Sequence, residues 1–232
     1  MIIVDAHLHL DERIDGGVES AAKVLDQQLE DAGISRAVVL HLQTQPWTHI
    51  EFANAINKFP RLVGFVNVHP YDEDCFAQLK DAIQKLGYLG LKLHPRLQEF
   101  SIEDERVEKL VNFAGEIGAP VLIDAFPDGT HLMQGFTPLA YAKLAKRCPG
   151  TRIIIAHMGG HYVLDFMMLA KRLTNVYFDC SYSLLYYQGS SVPKNMVYAT
   201  IPTEVLVKRS RNRWHTCVKW EYQKPILRKS WV

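Results

Sequence analysis

Short apolar runs recur at nearly even spacing along this chain of 232 residues, and that rhythm constrains the fold more than any single residue. The runs cover 2–6, 36–41, 62–68, 88–93, 119–123, 151–156 and 175–180, with starts 24 to 34 residues apart. They are apolar almost throughout, as in Ala37-Val38-Val39-Leu40 and Ile153-Ile154-Ile155. Strands without polar alternation are covered on both faces, which is the pattern of parallel strands joined by crossover helices. The segments between them have helical spacing. Val18, Ala21, Ala22, Leu25 and Leu29 form one stripe, and Val107, Leu110, Val111, Ala114 and Ile117 another. Gly33, Gly87 and Gly118 follow such segments, where a left-handed helix terminus belongs. Ser101-Ile102-Glu103-Asp104 predicts a helix start.

Seven strand–helix units fit an open doubly wound sheet or a (β/α)8 barrel with one unit unaccounted for. A dinucleotide fold needs a glycine-rich loop after its first strand. Here that place holds His7-Leu8-His9. The expected class is therefore α/β, a TIM-type (β/α)8 barrel, incomplete or divergent at the eighth unit. The barrel is expected over residues 1–202, followed by a tail over 203–232.

The composition, 48% apolar and 22% charged, is that of a globular domain with a sizeable core. The first residues do not read as a signal peptide, because no basic segment precedes an apolar run that meets Asp5 at once. No apolar stretch approaches the ~20 residues of a membrane span. Cys75, Cys148, Cys180 and Cys217 are far apart and read as reduced thiols, so the expected location is cytoplasmic.

In a barrel of this type the active site lies at the C-terminal ends of the strands. Here those ends are polar. The first strand ends in His7 and His9, whose i, i+2 spacing puts both imidazoles on one side of an extended chain. The later strands end in His41, His69, Lys92-Leu93-His94, Asp124, His157 and Asp179, with His161 just beyond His157. Imidazoles and carboxylates gathered at one rim of an apolar scaffold point to a metal-centred pocket.

Asp5-Ala6-His7-Leu8-His9, Gly90-Leu91-Lys92-Leu93-His94-Pro95 and Ala156-His157-Met158-Gly159-Gly160 together resemble the amidohydrolase superfamily, in particular its amidohydrolase-2 branch. That branch includes decarboxylases related to aminocarboxymuconate-semialdehyde decarboxylase and hydrolases of lactones and amides. The resemblance runs to about residue 200. It implies one divalent metal, with zinc expected, held by His7 and His9, by Asp124 in the place of a strand-5 histidine, and by His157. In this branch the histidine matching His157 is a ligand in some members and a general acid/base in others. The resemblance also implies a strand-8 aspartate in a Gly-Ser-Asp run, which this chain lacks.

Lys92 and His94 share a face of their strand. A buried lysine needs a carboxylate, a metal-bridging group or an anionic substrate, so Lys92 is expected to be catalytic, with His94 and Arg96 binding substrate. Asp124 reads equally as a ligand or as a carboxylate orienting a histidine. His41 and His69 read as supporting or packing residues, Asp179 equally as a rim residue or a loop anchor, and His49, His131 and His215 as loop or helix-surface residues. Tyr182, Tyr186 and Tyr187 are expected near the mouth.

The activity expected is hydrolysis of a small amide, ester or lactone by metal-activated water, or decarboxylation at the same centre. Metal-dependent nucleases of the TatD type share an early His-X-His, but they carry a glutamate where Lys92 and His94 stand. A small-molecule substrate is expected, with no nucleic acid and no membrane as partners, and a homo-oligomer is compatible with the sequence. The third reading is a relic impaired by loss of the strand-8 aspartate.

Residues 203–232 hold eight Lys/Arg against two acids, and also Trp214, Trp220 and Trp231. Three readings of this tail stay open. It is the product of a frame shift or truncation, a divergent eighth unit using Val205-Leu206-Val207 as its strand, or a basic appendage for a partner.

Overall fold

A computed structural model describes residues 2–181, 205–210 and 213–220. Seven parallel strands run in sequence order: β1 (Ile2–Leu8), β2 (Arg36–Leu40), β3 (Leu62–Asn67), β4 (Gly90–Leu93), β5 (Val121–Ile123), β6 (Ile153–Ile155) and β7 (Val176–Phe178). Each pairs with the next, for example Phe65 with Gly90 and Leu122 with Ile154. The helices between them are α1 (Gly17–Asp31), α2 (His49–Ile56), α3 (Cys75–Lys85), α4 (Glu105–Glu116), α5 (Gly129–Met133), α6 (Pro138–Arg147) and α7 (Val163–Ala170). Sequential parallel order with a helix in each crossover is the architecture of a TIM barrel, here curled but incomplete.

The stripes read from the sequence are the faces that pack. Ala21, Ala22, Leu25 and Leu29 of α1 and Val107, Leu110, Val111 and Ala114 of α4 are buried in one core with Val39, Val66, Leu91 and Ile123. Inside the curl, Leu40, Phe65, Leu122 and Ala156 form a second cluster. Gly33, Gly87 and Gly118 do adopt left-handed backbone, with φ of 70°, 82° and 78°. The start of α4 differs from expectation. Asp104, not Ser101, caps it, accepting from the Arg106 N–H at 2.8 Å.

The departure from a closed barrel lies at the first strand. Where an eighth parallel strand would pair with β1, β9 (Arg213–Trp220) pairs antiparallel, with Ile2 opposite Trp220 and Val4 opposite Val218. β8 (Val205–Ser210) pairs antiparallel with β9. Val205-Leu206-Val207 is thus a strand, but within a hairpin and not as a parallel eighth unit. Among the described residues β7 and β8 are the two edges of the nine-stranded sheet. No helix among them is long and apolar enough to cross a membrane.

Candidate active site

The C-terminal ends of β1, β4, β5, β6 and β7 bring His7, His9, Lys92, His94, Asp124, His157 and Asp179 together. The ring centroids of His7 lie 5.2 Å from His9 and 4.7 Å from His157. His157 Nε2 is 3.2 Å from Asp124 Oδ1, and His94 Nε2 is 3.6 Å from the same oxygen. Lys92 is 1% exposed, and its charge is felt by His7, His9, His94 and Asp124. Strand geometry accounts for much of this. Alternate residues of β1 share a face, which also carries Asp5 inward. Asp5 is 1% exposed.

Arg96 pairs with Asp128 at 2.9 Å, and its charge is felt by His94. His41 and His69 brace loops, with Nε2 on the carbonyls of Trp47 and Gln98 at 3.0 and 2.7 Å. His131 is not a surface residue. It is 4% exposed, its Nδ1 donates to the Phe126 carbonyl at 2.8 Å, and Asp128 caps its helix by accepting from its backbone N–H. His49 is half-buried, with Nε2 on the Asn67 carbonyl. Tyr182, Tyr186 and Tyr187 lie outside the described residues, as does the side chain of His215.

His157 sits in an unusual turn. It and Met158 have φ of 58° and 49°, left-handed values for residues with a Cβ, and Gly159 and Gly160 continue with φ of 73° and 55°. Such backbone costs on the order of 1–3 kcal/mol per residue and persists only where surroundings hold it. Here Asp179 holds it, because the Met158 N–H donates to the Asp179 carbonyl at 2.7 Å and the His157 N–H to Asp179 Oδ1 at 3.2 Å. The sequence alone puts Asp179 on the polar rim, equally readable as a loop anchor, and does not single out Ser181. The available signal is the Asp-Cys-Ser run at the end of a strand already assigned to the rim.

Burial and charge set the protonation states. Burial pushes His7 down to about 4 against the pull of Asp179, and pushes His94 down to about 3 against Asp124. It also drives His9 well below the usual imidazole value. Burial opposes charge on His157 too, but its hydrogen bond to Asp124 and the nearby Asp179 outweigh it, and its pKa rises. Burial raises Asp124 and Asp179, yet their imidazole partners hold both well below the usual carboxylate range, helped by Lys92 at Asp124. Burial lifts Asp5 to about 7, and Asp179 adds to the lift. Burial lowers Lys92, opposed by Asp124 and Asp179.

The donors fit a divalent cation. The Nδ1 atoms of His7 and His9 are engaged with Asp179 Oδ2 at 3.0 Å and the Leu40 carbonyl at 2.9 Å. In the neutral rings this leaves a lone pair on each Nε2, the usual arrangement of metal-binding histidines. Asp124 Oδ2 is buried with no hydrogen-bond partner, a cost that a cation removes. Imidazole nitrogen with carboxylate oxygen suits zinc and other divalent first-row metals. Among the described residues, His7, His157 and Asp179 form a set able to offer one ligand atom each, all within 4.8 Å of one another, and His9 and Asp124 stand outside that set. Beside the cluster lies a cavity of about 540 Å³, lined in part by Pro95, Phe100, His131, Phe136 and Tyr141. It abuts the site, because Pro95 follows His94 and the Tyr141 hydroxyl donates to the Asp124 carbonyl at 2.8 Å.

The amidohydrolase family model matches residues 4–196, most of the chain and every one of these side chains. The chain belongs to the amidohydrolase family. Solved structures agree on the fold. An uncharacterised TIM-barrel protein from Bordetella bronchiseptica superposes with a TM-score of 0.66 at 15% identity, covering 82% of this chain and 77% of its own. A probable 2-pyrone-4,6-dicarboxylic acid hydrolase from Acinetobacter baumannii, with citric acid bound, gives 0.55 at 17%, covering 78% and 70%. A 5-carboxyvanillate decarboxylase from Novosphingobium aromaticivorans, complexed with manganese and a nitrobenzoic acid ligand, gives 0.53 at 14%, covering 74% and 69%. A comparison with curated protein sequences gives no match.

Proposed function

We propose that this amidohydrolase is a metal-dependent hydrolase of small amides, esters or lactones. The observation that carries the reading is the clustering of His7 with His9 and His157, beside an Asp124 carboxylate whose Oδ1 meets His157 Nε2 at 3.2 Å and whose Oδ2 is buried with no hydrogen-bond partner. His7, His9 and Asp124 would hold a divalent cation such as zinc, with His157 at its margin. Bound there, the cation supplies Lewis acidity, lowering the pKa of water and polarising a carbonyl.

The chain's own groups do the rest. Asp124 at Nε2 stabilises the imidazolium of His157, which suits His157 to act as the general acid that gives a proton to the leaving atom. His94 accepts from the Leu97 N–H at Nδ1, which leaves its Nε2–H as a donor. Lys92 offers an ammonium with no hydrogen-bond partner. Both are donors that would stabilise an oxygen on which negative charge develops, and the dry surroundings strengthen such an interaction.

Lys92 also favours a second reading. A buried, unpartnered ammonium is a natural counter-ion for a substrate carboxylate, and the same centre would then release CO2. A panel of lactones, amides and aromatic or enoic acids, assayed with and without a chelator, tests both readings. Turnover should vanish on chelation, return with Zn2+ or Mn2+, and be absent from the His7→Ala/His9→Ala protein. Turnover indifferent to chelator and to the double variant overturns the proposal, and the product distinguishes hydrolysis from CO2 release.

A further inference from the structure

Asp179 forms a candidate metal set with His7 and His157, but its hydrogen bonds describe a different role. Its Oδ2 accepts from His7 Nδ1 at 3.0 Å. Its Oδ1 accepts from the His157 N–H at 3.2 Å, from the Ser181 N–H at 3.0 Å, and from the Ser181 hydroxyl. An ionised carboxylate has about four lone-pair sites. With these donors in place, little of Asp179 is left to bind a metal. Its main chain is equally engaged, with the carbonyl on the Met158 N–H and the amide on the Ile155 carbonyl at 3.2 Å. At 3% exposure, the residue links the ends of β1, β6 and β7.

We propose that Asp179 is the positioning residue of the centre and not one of its ligands: it fixes His7 as the Nδ1–H tautomer, so that the Nε2 lone pair faces the cation site, and it pins the left-handed turn that presents His157. The chain carries out the two tasks with opposite ends of one carboxylate. Oδ2 sets which nitrogen of His7 carries the proton. Oδ1 and the carbonyl hold His157 and Met158 at φ values that residues with a Cβ adopt only under constraint. Ser181 completes the turn, because its hydroxyl and carbonyl lie 2.9 and 3.0 Å from His157 Nδ1. One residue just past β7 thus orients the imidazoles of both β1 and the turn after β6.

The inference rests on the metal-binding reading of this site, and the experiment separates the two. In metal-free protein labelled with 15N at histidine, long-range 1H–15N couplings report which ring nitrogen is protonated, and His7→Gln identifies the His7 signals. The wild-type protein should show His7 protonated at Nδ1. In Asp179→Asn the side-chain amide offers an N–H donor where a carboxylate oxygen accepted, so His7 should move to the Nε2–H form. Zn2+ affinity, measured by calorimetry, should fall about 10–100-fold in the same variant. His7 protonated at Nε2 in the wild type overturns the proposal. So does an Asp179→Asn protein that loses Zn2+ affinity with its His7 tautomer unchanged, which is the behaviour of a lost ligand. If Asp179→Asn does not fold, the wild-type tautomer decides alone. A wild-type chain that shows the Nδ1–H form yet binds no Zn2+ supports the positioning role and refutes the metal reading instead.

Discussion

Lys92 lies near the C-terminal end of β4, fully buried, with an ammonium that no hydrogen bond satisfies. An uncompensated charge in such a place is costly, and only the carboxylates of Asp124 and Asp179 offset it. A chain that retained it for packing alone would do better with methionine, which has nearly the same shape. Lys92→Met should therefore leave the protein folded and still able to bind a cation, while kcat falls about 10²–10³-fold, as for other lost charge stabilisers. Steady-state kinetics on whichever substrate turns over, with a parallel unfolding curve, checks this, and a kcat within about threefold of wild type contradicts it. Lys92 and the histidines were legible because each ends an apolar run, where a polar residue has no packing reason to be. His131 was not. It is buried within α5, and nothing in Gly129-Thr130-His131-Leu132 announces a helix of five residues.

At the scale of elements, the turn after β6 is where sequence and function meet most tightly. Gly159 has φ of 73°, and a Cβ there would run into the ring of Phe166. Gly159→Ala combines backbone strain with overpacking and should destabilise the fold by about 2–4 kcal/mol in urea titration. A loss below about 0.5 kcal/mol would show that the turn does not hold this conformation. The seven parallel strands were visible in the sequence because a strand buried on both faces leaves an unbroken apolar run. The β8–β9 hairpin was not, because its residues are charged and carry no clear period. Val205-Leu206-Val207 reads as a strand, but its direction depends on pairing with β9. The cap of α4 escapes a sequence reading for a similar reason. Ser101 and Asp104 both suit a helix start, and the choice falls to Asp104 because it also binds Arg106 and the Tyr71 hydroxyl.

At the scale of the whole molecule, the rim gathers groups whose ordinary charges burial suppresses, and that ties stability to pH. In the folded chain His7 and His41 titrate near 4 and His94 near 3, below the usual 6.5. Between those values the unfolded chain binds protons that the folded one refuses, so stability falls as pH drops through that window. Asp5 opposes this. Its folded value of about 7 lies above the ordinary 3.8, so it gains stability on acidification over the same range. A tenfold difference in proton affinity is worth about 1.4 kcal/mol, so three imidazoles outweigh one carboxyl. The cation-free protein should therefore lose several kcal/mol of unfolding free energy between about pH 7 and pH 4, measured by urea titration in EDTA. A flat or rising profile contradicts these protonation states.

The central claim is that histidines far apart in sequence share one divalent cation at the rim of an incomplete barrel. Elemental analysis of the purified chain after Zn2+ loading and exhaustive dialysis tests it most directly. The account predicts about one zinc per chain in the wild type and almost none in the His7→Ala/His9→Ala protein. Equal zinc in both, or none in the wild type, would contradict it.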